Sequence, residues 1–436
     1  MTNETDVTVI GAGLAGCEAA YKIAESGYTV TLCECKPITR SPAHTVDTFA
    51  ELVCSNSLKS DEETTAGGAL KRELRALGSL LLSVAETCRV PAGGALAVDR
   101  ELFTQKVTDK IGNHKNIKIE HRVVSDWGNG PTVLATGPLT VGDLADTLKA
   151  RVRALSFFDA AAPVIAAESV DMNRCFSADR YGKGDSDYLN CPLDKEEYTA
   201  FIRELTSAQC AKLHEFEKKE IFEGCMPIEI MAKRGEDTVR FGPLRPVGFT
   251  DPRTGKRPYA VVQLRAENKA KTMYNLVGFQ TNLTFGEQKR VFSMIPALEH
   301  AEFLRYGVMH RNTYVHAPEA LDAYSRLLCA PNVFVAGQLS GVEGYVESMA
   351  SGLLCGINAV RLLCGKPLVL PPETTVLGAL MRYLSAPNEN FQPMNANFGL
   401  LPPLAFPERD KQKRKAQYVQ RALADLREFQ KANDLV

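Results

Sequence analysis

Across its 436 residues the sequence has no CxxC and no HExxH motif, and its 12 cysteines and 7 histidines form no mixed ligand cluster. No structural metal is therefore expected, and most of the thiols read as reduced, buried side chains. Nor does any apolar run reach the ~18 residues that span a bilayer. The stretch MTNETDVTVIGAG carries no basic segment ahead of its hydrophobic residues, so the expectation is a cytoplasmic protein without membrane contact. Charge of one sign is missing too, with 51 Lys and Arg against 52 Asp and Glu. A polyanion would have to be met by a local basic patch and not by a global field. Internal repeats and low-complexity tracts are absent.

What is present is a 45% hydrophobic content, ample for a core, in a length that suggests about two to three domains. The first segment reads as a βαβ unit: a strand over Asp6 to Ile10, the turn GAGLAG, the helix CEAAYKIAES closed by Gly27, and a strand over Tyr28 to Glu34. Asp99 is placed to cap a helix carrying Leu102, Phe103 and Val107. PTVLATGP, from Pro131, resumes the strand pattern. From about residue 145 to 325 the texture changes to mixed strands and loops, after which NVFVAGQLSG and VESMASGLLCGINAVRLL restore a strand, a glycine turn and a helix with small residues on one face. The expected fold is α/β: a Rossmann-like dinucleotide-binding domain over 1–145, an inserted α+β domain over 146–325, and the first domain resumed over 326–436. A terminal helix carries Tyr418, Ala422, Leu426 and Phe429 on one face.

Gly11, Gly13 and Gly16 form GxGxxG directly after a strand and at the start of a helix. The first glycine permits the tight turn, the second lets backbone approach a pyrophosphate, and the third allows the helix to pack closely on the strand. Glu34, at the end of the second strand, is placed to accept hydrogen bonds from a ribose diol. NAD and FAD both suit this unit. The ATG turn ending in Gly137 and the late return at Gly337 and Gln338 favour FAD, since a plain NAD domain has no need of that return.

Longer blocks then carry a resemblance. PAHTVDTFAELVCSNSLKS, RVPAGGALAVDRELF, EGCMPIE, FGPLRPVG, LVGFQTNLTFGEQKRVFSMIP, YGVMHRNT, GVEGYVES and FQPMNANFGLLPP, in this order, resemble the folate- and FAD-dependent tRNA (uracil-5-)-methyltransferases of the TrmFO type. Cys35, Met349 and the run TTAGGALKREL depart from that family's usual pattern. The resemblance implies a flavoprotein of the glucose-inhibited-division-A-like fold that makes ribothymidine in the T-loop of tRNA. Methylenetetrahydrofolate would supply the carbon and NAD(P)H the electrons.

The chemistry explains why cysteines matter. Uracil C5 is a weak nucleophile until a thiolate adds to C6, which turns C5 into an enolate carbon able to attack an electrophilic methylene. The C5 proton must then leave, the thiolate must be expelled, and a hydride must complete the methyl group. Two cysteines lie in family-like motifs, Cys54 in ELVCSNSL and Cys225 in FEGCMPIE. We expect Cys225 to add to C6 and Cys54 to manage the C5 proton or shape the flavin face. In the bare sequence, Ser55, Asn56 and Ser57 could equally donate hydrogen bonds, cap a helix or build a turn. By the resemblance, His310, Arg311, Glu343 and Tyr345 hold the folate, with imidazole stacking on the pterin and carboxylate accepting from its N–H groups.

For RNA the expected contacts are Arg174, Arg180, Tyr181 and Lys183 in the inserted domain, where Tyr181 and Tyr188 could stack on loop bases, and Lys411, Lys413, Arg414 and Lys415 near the end. Such runs are more often plain solvated surface. The same chemistry on ribosomal RNA, a generic flavin oxidoreductase, a non-catalytic tRNA-binding flavoprotein and a wobble-uridine enzyme are the competing readings. The missing redox cysteine pair speaks against the oxidoreductase, and the short C-terminal region against the wobble-uridine enzyme.

Overall fold

The computed structural model describes residues 5–41, 43–140, 142–180, 187–211, 226–389 and 391–435, apart from the side chains of 154–159 and 310–311. The first segment folds as its pattern predicts: β1 (Val7–Ile10), α1 (Leu14–Glu25) and β2 (Val30–Glu34). Both strands read as nearly continuous apolar runs because helices cover both faces of the sheet. β1 is central in a six-stranded sheet, with Thr132–Leu134 on one side and β2 on the other, all parallel. The order continues outward through Ala330–Val335 on the first side and Ile117–His121 on the second. The late strand thus returns to this sheet, beside Thr132–Leu134. Asp99 caps the helix Arg100–Gly112, accepting the Leu102 N–H at 3.1 Å.

The helix Tyr345–Leu363 corrects one expectation. It is long and apolar enough to cross a membrane, yet 83% of its most apolar window is buried inside the protein. Its small residues explain the burial: a Cβ on Gly352 would sit 2.2 Å from the Ala15 carbonyl oxygen, and one on Gly356 would sit 3.0 Å from that of Ala19. The backbones of this helix and α1 therefore meet directly, and the apolar length is spent in the core, not in lipid.

A second six-stranded sheet is wholly antiparallel, in the order Phe176–Ser177, Tyr188–Leu193, Ala260–Ala266, Met273–Leu276, Val164–Ala166, Phe303–Arg305. It has its own core, with Phe201, Phe279, Leu264 and Phe292 packed together. The first core runs through α1 and the long helix and takes in Tyr314, Val315, Val419 and Leu426 as well. Between the sheets, Ala154–Ala160 pairs antiparallel with Met309–Val315.

Candidate functional site

The glycines of the first turn behave as three different devices. Gly11 has φ +100°, and a Cβ there would lie 2.6 Å from the Ala135 carbonyl oxygen, so the turn and its contact with the next strand exclude any side chain. A Cβ on Gly16 would lie 1.8 Å from the Gly11 carbonyl oxygen, which is the close helix-to-turn packing expected of it. Gly13 meets nothing within 4 Å. It is the N-cap of α1, with no side chain capping the helix. The helix end, carrying roughly half a positive charge, therefore faces open space where a pyrophosphate fits.

Glu34 is buried, and its carboxylate first serves the turn itself: Oε2 accepts the Ala12 N–H at 2.7 Å and Oε1 accepts the Lys36 N–H at 3.0 Å. Such a clamp fixes the loop in the shape that a dinucleotide needs. Gly11, Gly13, Glu34, Gly137, Gly337 and Gln338 all line one cavity of about 400 Å³, together with Tyr345. Cys35 lines it too, and burial followed by the Glu34 charge pushes its thiol up to about 11, leaving it unreactive at neutral pH. Backbone from three strand ends and one helix end, an acid beside the turn and a long cavity suit a dinucleotide such as FAD.

At the edge of this cavity the segment from Glu51 to Leu58 is held from several directions. Tyr345 Oη accepts the N–H groups of Cys54 at 2.7 Å and Ser55 at 3.2 Å. Burial, and next the neighbouring Cys54, hold the Tyr345 hydroxyl well above the ordinary phenol range, so it stays protonated. Cys54 Sγ lies 3.9 Å from the Ala160 carbonyl oxygen. Asn56 is fully buried; its amide donates to the carbonyls of Val98 and Ala266 and accepts from Arg265 Nε at 2.8 Å. Arg265 also donates to Ser55 Oγ at 2.8 Å. Arg100 donates to the Leu52 carbonyl at 2.8 Å and pairs with Glu267 at 2.6 Å. Ser55 and Asn56 therefore do not cap a helix; they tie this segment to the strand Ala260–Ala266 of the second sheet.

The other expected residues are placed as follows. Cys225, Tyr181 and Lys183 lie outside the described residues. His310 and Arg311 sit in the strand Met309–Val315, opposite Asp159 and Phe158, with side chains outside the description. Glu343 accepts from the Gln338 amide at 2.6 Å, which joins an expected folate residue to an expected flavin residue. Arg180 turns inward: its guanidinium donates to the carbonyls of Arg245 and Val247, both at 2.8 Å, and covers the Phe249 ring. Tyr188 donates to the Ala92 carbonyl at 3.1 Å. Arg174, Lys411 and Lys413 are exposed, while Arg414 and Lys415 are half-buried on the terminal helix. Sequence reasoning passed over Arg100, Arg265 and Glu267; only Arg100 stands inside a quoted block, RVPAGGALAVDRELF, while Arg265 and Glu267 close the strand Ala260–Ala266 between two of them.

The profile of the family described as Glucose inhibited division protein A matches residues 6–367. A methylenetetrahydrofolate--tRNA-(uracil-5-)-methyltransferase TrmFO from Acetivibrio thermocellus is 54% identical over 427 residues, which cover 97% of this chain and 98% of that protein. The protein of the same name from Bacillus subtilis is 50% identical over 432 residues, covering 98% and 99%. Among solved structures, GidA from Aquifex aeolicus in its form I crystal matches with a TM-score of 0.70 at 17% identity, over 98% of this chain and 76% of that one, a likeness of fold. With these matches running through the turn, the cavity and the Cys54 segment alike, the chain belongs to the glucose inhibited division protein A family and, within it, to the TrmFO methyltransferases.

Proposed function

We propose that this protein forms 5-methyluridine in the T-loop of tRNA, with FAD as cofactor, methylenetetrahydrofolate as carbon donor and NAD(P)H as reductant. The observation that supports it most is Tyr345, which lines the cavity while its hydroxyl holds the backbone of Cys54. A thiol is thereby anchored at the mouth of the dinucleotide site. FAD, when bound, supplies the hydride and a carrier for the one-carbon unit.

Cys225 adds to uracil C6, and its sulfur leaves again once C5 has gained the carbon and lost its proton. Cys54 takes that proton. Its backbone is fixed by Tyr345 and by the Arg265 bridge through Ser55, so the side chain is the moving part and its position is preorganised. His310, Arg311, Glu343 and Tyr345 receive the folate. The target base has to leave its stack to reach the cavity. Lys411, Lys413, Arg414 and Lys415 open the terminal helix, whose end is already capped by the Asp410 carboxylate accepting the Lys413 N–H at 2.8 Å. It is therefore the side-chain charge of this cluster that favours phosphate. The cytoplasm is where such substrates meet.

The test is to incubate the protein with NADPH, methylenetetrahydrofolate and an unmodified tRNA transcript, and to look for 5-methyluridine by nucleoside analysis. Product in tRNA is expected. A flavin-loaded protein that forms none would sink the proposal, and product confined to ribosomal RNA would move it to the other substrate.

A further inference from the structure

A ladder of aromatic rings climbs out of the second core. Phe292 is fully buried and packs against Phe303 at 6.5 Å. Phe303 stacks on Tyr306 at 5.4 Å with 4° between the planes, and Tyr306 stacks on Phe285 at 4.7 Å with 13°. The last ring, Phe285, is 54% exposed. A single exposed apolar side chain is ordinary. Three near-parallel rings ending in an open face are not, because aromatic pairs inside this core are mostly tilted or edge-on.

The ladder is held rigidly. Buried Gln288, from the helix Phe285–Phe292, accepts the Gly307 N–H and donates to the Gly307 carbonyl, each at 2.8 Å. That bond pins the chain just after Tyr306 to the helix that carries Phe285. The ladder also stands next to the cysteine site. A Cβ on Gly307 would lie 2.6 Å from the Ala161 carbonyl oxygen, and Ala161 donates to the Val308 carbonyl at 2.8 Å. The preceding residue, Ala160, is the one whose carbonyl lies beside Cys54 Sγ.

Two cations flank it. The side chain of Arg305, the neighbour of Tyr306, is half-buried and makes no hydrogen bond or ion pair among the described residues. Burial and the nearby Arg100 pull its pKa down, while Glu267, Tyr345 and Cys54 lie within its electrostatic reach. Lys289 stands one helical turn after Phe285, exposed and likewise without a partner among the described residues.

We infer that the Phe285–Tyr306 stack is a platform for an unpaired nucleobase of the RNA substrate, with Arg305 and Lys289 meeting the adjoining phosphates. A flat π-face accepts any base and the cations supply sequence-independent attraction, which is the usual composition of a single-strand contact. The platform would hold a loop base next to the uridine being methylated. The inference rests on the reading that the substrate is RNA.

The experiment measures binding of an unmodified T-arm hairpin RNA to the flavin-loaded protein and its Phe285→Ala, Phe285→Leu and Phe285→Trp variants. NADPH oxidation and light-scattering mass are followed in parallel. Binding weakened about tenfold in the Ala and Leu variants and restored by Trp is expected, with NADPH oxidation and mass unchanged. Arg305→Ala should lower the salt dependence of binding by about one phosphate contact. RNA binding equal to the parent's in the Ala variant would overturn the inference, as would a change of oligomeric mass at constant RNA affinity, which would make Phe285 a contact between copies. Failure of the parent itself to bind the hairpin would reject the RNA reading and the platform together.

Discussion

The dinucleotide cradle and the Cys54 segment adjoin one another but are built from different materials. The cradle is backbone: glycines whose missing side chains let strand ends and a helix end converge, with Glu34 clamping the turn. The Cys54 segment is a meeting of side chains from Arg100, Arg265, Glu267 and Tyr345, drawn from two helices, one strand and the residue that follows that strand. A backbone site should fail all at once when it is filled, whereas a side-chain site should fail by degrees as its bonds are removed.

The largest effect is therefore expected at Gly16. Gly16→Val drives methyl groups into the Gly11 carbonyl, already 1.8 Å from a single Cβ. We expect a loss of roughly 3 kcal/mol or more and protein purified without flavin absorbance; a flavin-loaded variant would break the comparison. Next is pH. Glu18, on α1, accepts the Leu80 and Leu81 N–H groups, and Glu73 accepts those of Val376 and Leu377, at the starts of two first-core helices. Burial raises both from 4.5 to about 7. The folded state thus keeps protons that the unfolded chain releases, so stability present below about pH 4.5 is lost as pH rises through about 7. The loss is on the order of 3 kcal/mol for each group. Denaturant melts from pH 5 to 8 should show the fall, and Glu18→Gln with Glu73→Gln should flatten it.

Two smaller changes probe the side-chain site. Asn56→Ala leaves the Val98 and Ala266 carbonyls and Arg265 Nε without their partner. A cost of about 2 kcal/mol is expected in a denaturant melt, with flavin retained. Tyr345→Phe removes the acceptor of two N–H groups and should cost about 1 kcal/mol. Turnover should fall about tenfold while flavin content stays constant; equal turnover would detach Cys54 from the cavity.

The same contrast governs what could be read from the sequence. The turn glycines, the strands around them, the Asp99 cap and the return at Gly337 were legible because each is a local pattern set by backbone geometry. Asn56 and Arg265 stand 209 positions apart, and no periodicity announces such a pair. The long helix was legible as a helix with one small-residue face, because that is a local pattern; its partner α1, against which that face is buried, was not. Arg180 is a similar case, for a cation in a polar loop reads as surface until its carbonyl partners are seen.

The claim that two cysteines divide the work is tested most directly with tRNA carrying 5-fluorouridine at the target position, whose C5 substituent cannot leave as a proton does. The protein is incubated with it under turnover conditions and the covalent complex is mapped by mass spectrometry. The account predicts an RNA adduct on Cys225, absent in Cys225→Ala and still formed in Cys54→Ala. An adduct on Cys54, lost in Cys54→Ala and retained in Cys225→Ala, would contradict it.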